Sequence, residues 1–411
     1  MMSKRLFAAV ALLASVGAQA QQLPQIGIAP VTLGSEPYLF DTAEQHGIKV
    51  SVLAKGFARP FAIEFLPGGD LLIVERGMGL RLLRQATGQA QLDADLIEGM
   101  PKPADGVFSV GVQDVALHPE FARNQWLYFT YNDPAPRPPE DTSTPANQRT
   151  ARLALMRGKL ENGRLSNVET LFQGGVSAAL GSRVAFGKDD KVFVTAGGAY
   201  GPVAQDLTTI YGKVLRLNDD GTIPTDNPFV GRDNAHPAIY SYGHRDHHGL
   251  LVHPETGAML NAEHGMNGGD EVNLIRPGAN YGWPTYTFSR QYDGAQGSEL
   301  PTVAEVERPL ILWSPSIAPS GLMIYQGDKF PAWKGNLFVG SARWGEINNT
   351  GSLQRVVFGE NYGELRREAL LGPLHHRVRD IAEGPDGLIY VLTDGPENAV
   401  LRIEPAALPS D

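Results

Sequence analysis

The sequence contains no cysteine. That excludes disulfides, thiolate nucleophiles and cysteine-ligated metal centres, and an oxidising compartment carries no penalty for such a chain. Long apolar runs are also missing. No stretch reaches the ~18 residues that read as a membrane-spanning helix, and no long amphipathic helical pattern stands out. Positive charge is in deficit, with 35 Lys and Arg against 45 Asp and Glu and a formal net charge of -10. An acidic chain without a basic run is a poor nucleic-acid binder. Small molecules and soluble proteins are the expected partners.

The one sizeable apolar run, Leu6 to Val16, follows Lys4 and Arg5 and precedes the small residues Ala18–Gln19–Ala20. This pattern predicts a secretory signal over 1–20, cleaved before Gln21, and so a periplasmic or secreted protein. Residues 21–47 read as a loose N-terminal extension.

Beyond it, a turn rich in Gly, Pro and Asp followed by a short apolar strand keeps returning. The copies are "LPGGDLLIVER", "HPEFARNQWLYFTY", "GKDDKVFVTAG", "HPETGAMLNAEHG", "FPAWKGNLFVGS" and "GPDGLIYVLTDG". Strands at long, regular intervals with turn signals between them favour a propeller. Six copies predict an all-β, six-bladed β-propeller over 48–408, with about four antiparallel strands per blade. The runs "IKVSVLAKGF" and "AVLRIEPA" are expected to share a blade and close the ring, leaving no open edge. The Pro-rich segment 133–148, "DPAPRPPEDTSTPANQ", reads as an inserted surface loop.

Three segments carry candidate chemistry. "SYGHRDHHGL" (241–250) gathers Arg245, Asp246, His247 and His248 on an inter-strand turn, where each residue alone is equally well read as a solvated turn residue. "EHGMNGGDEVNLIRPGANYGWP" sets Asp270 and Glu271 after a Gly-rich turn, a combination of carboxylates and turn carbonyls that suits calcium. "LHHRVRDIAEGPDG" places Arg377 and Arg379 on the same face of an extended strand. Paired arginines there call for an anion between them or for solvent. Arg343 is a further cation beside a turn glycine.

The order of these motifs resembles the soluble pyrroloquinoline-quinone (PQQ)-dependent sugar dehydrogenases, the aldose and glucose/sorbosone dehydrogenase family. The resemblance runs from about residue 48 to residue 405. It is carried by "RPFAIEFLPGGDLLIVER", "DVALHPEF", "AQDLTTIYGKVLRLNDDGTIPTDNPF", "SYGHRD", "EHGMNGGDEVNLIRPGANYGWP", "SPSIAPSG", "FPAWKGNLFVGS" and "RVRDIAEGPDGLIYVLTD". It implies Arg245, Arg343, Arg377, Arg379 and Ser316 as contacts of PQQ, a cofactor with three carboxylates. It also implies a calcium ion against the quinone on the backbone carbonyls of Gly265 and Met266, and a second calcium on Asp270, Glu271 and Tyr281. The implied reaction is hydride transfer from a sugar or other alcohol to calcium-bound PQQ, followed by reduction of an external quinone or cytochrome-like acceptor.

The pattern breaks on the substrate side. Where the family has its catalytic histidine, in a segment like "HFGSR", this chain has Ala179, ahead of an intact Gly181–Ser182–Arg183. Ser109 stands in for a glutamine, and Asp246, His247 and His248 replace Asn–Pro–Gln. One reading moves the base to His247 or His248, oriented by Asp246, with His247 favoured for sharing a face with Arg245. The alternatives are ordinary turn residues or a zinc site. At the level of function they are a non-redox ligand-binding or scaffold propeller, or a calcium-dependent lactonase-like hydrolase.

Overall fold

Each returning signature folds as one antiparallel meander. The computed structural model describes residues 27–44, 46–102, 109–295, 297, 304 and 306–406; the expected export signal, 1–20, lies outside them. Blade 1 comprises Pro60–Phe65, Leu71–Glu75, Gly79–Arg84 and Gln91–Leu96. Blade 2 comprises Gly111–Leu117, Trp126–Pro134, Thr150–Glu161 and Arg164–Ala178. Blade 3 is built from Val184–Phe186, Val192–Ala196, Lys213–Leu217 and Ile239–Tyr242. His247–Val252, Met259–Glu263, Asp270–Ile275 and Ile311–Trp313 make blade 4. Blade 5 follows with Pro319–Ile324, Leu337–Ser341, Ser352–Phe358 and Glu364–Leu370. The expected six-bladed propeller is the fold observed.

Blade 6 joins the two ends of the chain. Arg377–Glu383, Ile389–Asp394 and Ala399–Ala406 are completed by Gly47–Lys55 and then Tyr38–Phe40. Gly47 pairs with Ala406 and Lys55 with Ala399, which closes the ring as anticipated. The extension expected to be loose is docked over part of its length. Tyr38–Phe40 adds a fifth strand, and Leu33 is buried in the core that also holds Ile48, Val50 and Trp333. The Pro-rich insertion leaves blade 2 after Pro134 and returns at Thr150, its arms tied by Arg137, which donates to the carbonyls of Pro145 and Gln148 at 2.7 and 3.0 Å.

The blades stand face to face, so both surfaces of a central strand meet apolar neighbours. Leu71–Glu75 and Val192–Ala196 are buried at every position for that reason. Every interface between adjacent blades holds one apolar cluster. Blades 1 and 2 meet through Leu72, Val74, Leu127 and Phe129, and blades 6 and 1 through Ile63, Ile73, Tyr390 and Val400. Blades 3 and 4 meet through Phe193, Val214, Met259 and Tyr281.

The six innermost strands surround an axial cavity of about 400 Å³ lined by Glu64, Asp114, Arg183, Gly321 and Asp380, among others. Arg183 reaches across it to Asp114 at 3.2 Å and Asp380 at 3.4 Å, while its Nε donates to the His248 carbonyl at 2.7 Å. Asp114 also accepts from the Val184 amide and Asp380 from the Ile63 amide, so each carboxylate links neighbouring blades. Gly321 is required here, because a Cβ would lie 1.8 Å from Asp380 Oδ1.

Glu64 faces the same cavity. Burial, then the nearby carboxylates Asp114 and Asp380, push it up from its ordinary 4.5 to about 8. A carboxyl whose folded-state value is raised binds more protons than the unfolded chain, so its contribution to stability is lost as pH rises from about 4.5 to about 8. Thermal unfolding is therefore expected to show Glu64→Gln melting ~2 °C or more above the parent at pH 8, with the gap closing towards pH 4.5. A gap that is constant with pH would place the effect in packing.

Candidate functional site

The inner strands of blades 1, 4, 5 and 6 begin, and several second strands end, around one mouth of the axial channel. Phe61, His247, His248, Pro319, Arg377 and Arg379 lie at strand starts; Arg76, His264, Arg343 and Asp394 lie at or just past strand ends. The positively charged side of the mouth is built on blades 1 and 6. Asp394 holds Arg377 at 2.9 Å and Arg379 at 2.6 Å. Arg76 and Arg379 both lie over the Phe61 ring, at 4.0 and 5.6 Å from its centroid. Burial, reinforced by Arg379, depresses both Arg76 and Arg377 below the ordinary guanidinium range. Guanidinium groups crowded in this way gain from an anion with several carboxylates.

Blade 4 supplies the other side. Arg245 donates from Nη1 to the carbonyls of His264 (3.0 Å) and Gly265 (2.7 Å), and its guanidinium stands 5.3 Å over the Trp283 ring. Its Nε is buried without a hydrogen-bond partner among the described residues. The turn it grips is dense in carbonyl oxygen. A Cβ on Gly265 would lie 2.2 Å from the Gly268 oxygen and 2.6 Å from the Gly269 oxygen, so only glycine fits there. A guanidinium resting on these carbonyls shows that the turn attracts a cation, and the donor set is the hard oxygen type that suits calcium.

The histidines separate on folding. Asp246 meets His248, not His247: its Oδ2 lies 3.3 Å from His248 Nε2, while its Oδ1 accepts from the Gly181 amide at 3.1 Å. Burial pushes Asp246 up, but His248, His264 and Arg245 prevail and hold it far below the usual carboxylate range. His248 stacks on His264, with centroids 3.9 Å apart, and its own pKa is lowered by burial. Asp246, His248 and His264 bring three ligand-type atoms within 4.8 Å of one another. His247 is turned into the blade, fully buried, with Nδ1 3.0 Å from Asn261 Oδ1, and burial brings it down to about 4. Sharing a face with Arg245 therefore does not put His247 beside Asp246.

Ala179 is 2% exposed and packs against Val110 and Ala151. Its amide donates to the Arg149 carbonyl and its carbonyl accepts from Gln148 Nε2. The returning arm of the insertion thus packs against the position where the resemblance leads to the expectation of a histidine. The insertion borders a cavity of about 640 Å³ with Val110 and Thr150. Ser109 lies nearby, its carbonyl taken by Gln113 and Asn132.

Asp270 and Glu271 point to opposite faces of their strand and enter separate networks. Asp270 accepts from the amides of Gly265 (2.8 Å), Ile317 (2.7 Å) and Ala318 (2.7 Å) and from Ser316 Oγ (3.0 Å). Ser316 in turn accepts from the Gly268 amide at 3.0 Å, so both residues clamp the carbonyl-rich turn to blade 5. Met266 is anchored there through its amide on Ser289 Oγ. Glu271 accepts from Asn273, which also serves Glu263; burial and Glu263 push Glu271 up to about 8. Glu263 bonds His244, and His244 stacks on Tyr281 at 4.4 Å. Arg343 pairs with Glu346 at 3.0 Å and lies near enough to Arg377 to repel it. Sequence reasoning passed over Arg76, His264 and Asp394. The signal was present, since Arg76 and Asp394 each fall at or just past the end of a repeat strand, "LLIVER" and "IYVLTD".

Fold and mouth together define a propeller that presents clustered guanidinium groups opposite a cation-attracting carbonyl turn. Residues 57–402 match the glucose/sorbosone dehydrogenase family. The chain is 31% identical over 375 residues to the aldose sugar dehydrogenase YliI of Escherichia coli, across 87% of this chain and 93% of that protein. It is 27% identical over 473 residues to quinoprotein glucose dehydrogenase B of Acinetobacter calcoaceticus, across 96% and 94% of the two chains. The crystal structure of the soluble aldose sugar dehydrogenase of Escherichia coli in its apo form superposes with a TM-score of 0.76 at 31% identity, covering 87% of this chain and 100% of that one. The chain belongs to the glucose/sorbosone dehydrogenase family, a family of sugar dehydrogenases.

Removing the Asp270 carboxylate strands three amides, two of them donors to one oxygen. Asp270→Ala is expected to destabilise the protein by ~3 kcal/mol or more in denaturant unfolding, with Asp270→Asn losing less because one acceptor oxygen remains. Equal losses would show that the carboxylate charge, not the hydrogen bonding, holds the turn.

Proposed function

We propose that this protein is an exported PQQ- and calcium-dependent dehydrogenase of a sugar or another alcohol, working with a relocated base. The carrying observation is the mouth itself, where Arg76, Arg377 and Arg379 crowd around Asp394 opposite the carbonyls of His264 and Gly265. Those arginines suit the carboxylates of PQQ, and the carbonyl turn suits calcium. When bound, PQQ supplies a two-electron hydride acceptor and calcium polarises its carbonyl.

The chain's own residues do the remaining work. Arg377 and Arg379 orient the anionic ligand from a strand held rigid by Asp394. His248 is the base of this proposal. Asp246 engages its Nε2, which leaves Nδ1 buried and without a hydrogen-bond partner among the described residues. A substrate hydroxyl donating to Nδ1 relieves that cost and begins the proton transfer. A Cβ at Gly181 would lie 3.4 Å from the His248 ring, so this imidazole sits against the chain just two residues past Ala179. The insertion, packed over Ala179, reshapes the substrate side and disfavours plain glucose. Among the described residues no helix is long and apolar enough to cross a membrane. The expected leader puts the enzyme outside the cytoplasm, handing electrons to a quinone or cytochrome-like acceptor.

The test is a titration of the mature protein with PQQ and calcium, followed by absorbance, and then dye reduction with a panel of aldoses and alcohols. Saturable binding and turnover are expected. Binding without turnover of any panel member would favour a ligand-binding propeller, and absence of PQQ binding would reject the quinoprotein reading. His248→Ala should lower kcat ~10²-fold or more with little change in PQQ affinity. Because burial lowers His248 from its ordinary 6.5, the base stays neutral through physiological pH and activity should fall only on the acid side of that value.

A further inference from the structure

Arg245 occupies an unusual place for a cofactor-binding arginine. Its Nη1 is spent on two backbone carbonyls, His264 at 3.0 Å and Gly265 at 2.7 Å, while Nε is buried without a partner among the described residues. Its backbone is immobile: the amide donates to Glu263 Oε2 at 2.7 Å and the carbonyl accepts from the Gly198 amide at 2.6 Å. Only the side chain can move. The Gly265 carbonyl cannot turn away either, because the Met266 amide of the same peptide is held on Ser289 Oγ at 3.1 Å. One rigid oxygen therefore faces a guanidinium on a flexible side chain, and the positive charge resting on that oxygen opposes a dication there.

We infer that the Arg245 guanidinium and a calcium ion compete for the Gly265 carbonyl, so that calcium loading releases Arg245 towards the anionic cofactor. This rests on the calcium and quinone reading above and adds an order to it: calcium enters first, and the freed guanidinium then becomes available to a carboxylate. By linkage, each ligand then strengthens the other's binding. Resting on these carbonyls, the Arg245 guanidinium keeps the turn shaped. Trp283 reports on the exchange, because the guanidinium stands over its ring at 5.3 Å while its Nε1 is pinned to the Gly198 carbonyl.

The experiment measures calcium affinity by calorimetry in protein stripped of divalent ions and free of PQQ. Arg245→Met is expected to bind calcium at least about tenfold more tightly than the parent, the equivalent of one lost charge-assisted hydrogen bond, and to bind PQQ more weakly. Opposite shifts for the two ligands separate competition from structural damage, which weakens both. Arg245→Lys keeps a charge and a donor, and is expected to bind calcium no more tightly than Arg245→Met; lysine binding calcium more tightly than methionine would overturn the inference. A second readout needs no change at Arg245. Calcium should alter the tryptophan emission of the parent, and Trp283→Phe should abolish the change. Unchanged or weaker calcium binding by Arg245→Met, or a parent emission indifferent to saturating calcium, overturns the competition. If neither protein binds calcium without PQQ while the parent still binds PQQ, the inference fails and the quinone reading stands. Loss of PQQ binding altogether sinks that reading instead.

Discussion

The structure turns on one buried guanidinium. Arg183 stands at the propeller axis and bonds Asp114 of blade 2, Asp380 of blade 6 and the backbone of blade 4 from its own place beside blade 3. Burial alone lowers its pKa, yet the facing carboxylates Asp380 and Asp114 outweigh that and raise it above the ordinary guanidinium value. Those carboxylates are held in turn by amides of blades 1 and 3. Sheets that meet largely through apolar surfaces, which are non-directional, gain from this network a fixed rotational setting among blades 1, 2, 3, 4 and 6. Removing one member of such a set is costly because the others stay buried and charged.

The same residue couples the axis to the chemistry above it. Arg183 holds the His248 carbonyl, and Gly181, two residues earlier, holds Asp246. The Gly181–Arg183 segment of blade 3 therefore positions a histidine of the next blade. Ala179 and His248 lie on opposite sides of this hydrogen-bonded seam. The Asp246 carboxylate brings negative charge to a mouth rich in guanidinium groups, and His248, His264 and Arg245 offset it.

Several features of the site were legible in the linear chain because they depend on local geometry. Arg377 and Arg379, two apart on one strand, both reach Asp394, although a β-bulge between Val378 and Asp380 interrupts the alternation there. The glycines of "EHGMNGGDE" announce a tight turn, and a tight turn is what Gly265 closes. Other roles were hidden because the partner is remote in sequence. Asp270 reads as a metal ligand when taken beside Glu271, but its carboxylate is saturated by residues 316–318, on the turn that leads into blade 5. His247 and His248 are neighbours whose side chains leave the strand on different sides, and nothing local says which one meets Asp246.

The order of turns and apolar strands was enough to determine a six-bladed ring and its closure by the two chain ends, since period and edge satisfaction are properties of the sequence pattern itself. Composition likewise determined the absence of thiol chemistry. Only the tertiary structure decided which charges neutralise one another, that Arg245 rests on the Gly265 carbonyl, and that the insertion packs over Ala179. The physical reason is the same in each case. Hydrogen bonds and ion pairs act over a few ångströms, and in a propeller the residues that come that close belong to different blades, far apart along the chain.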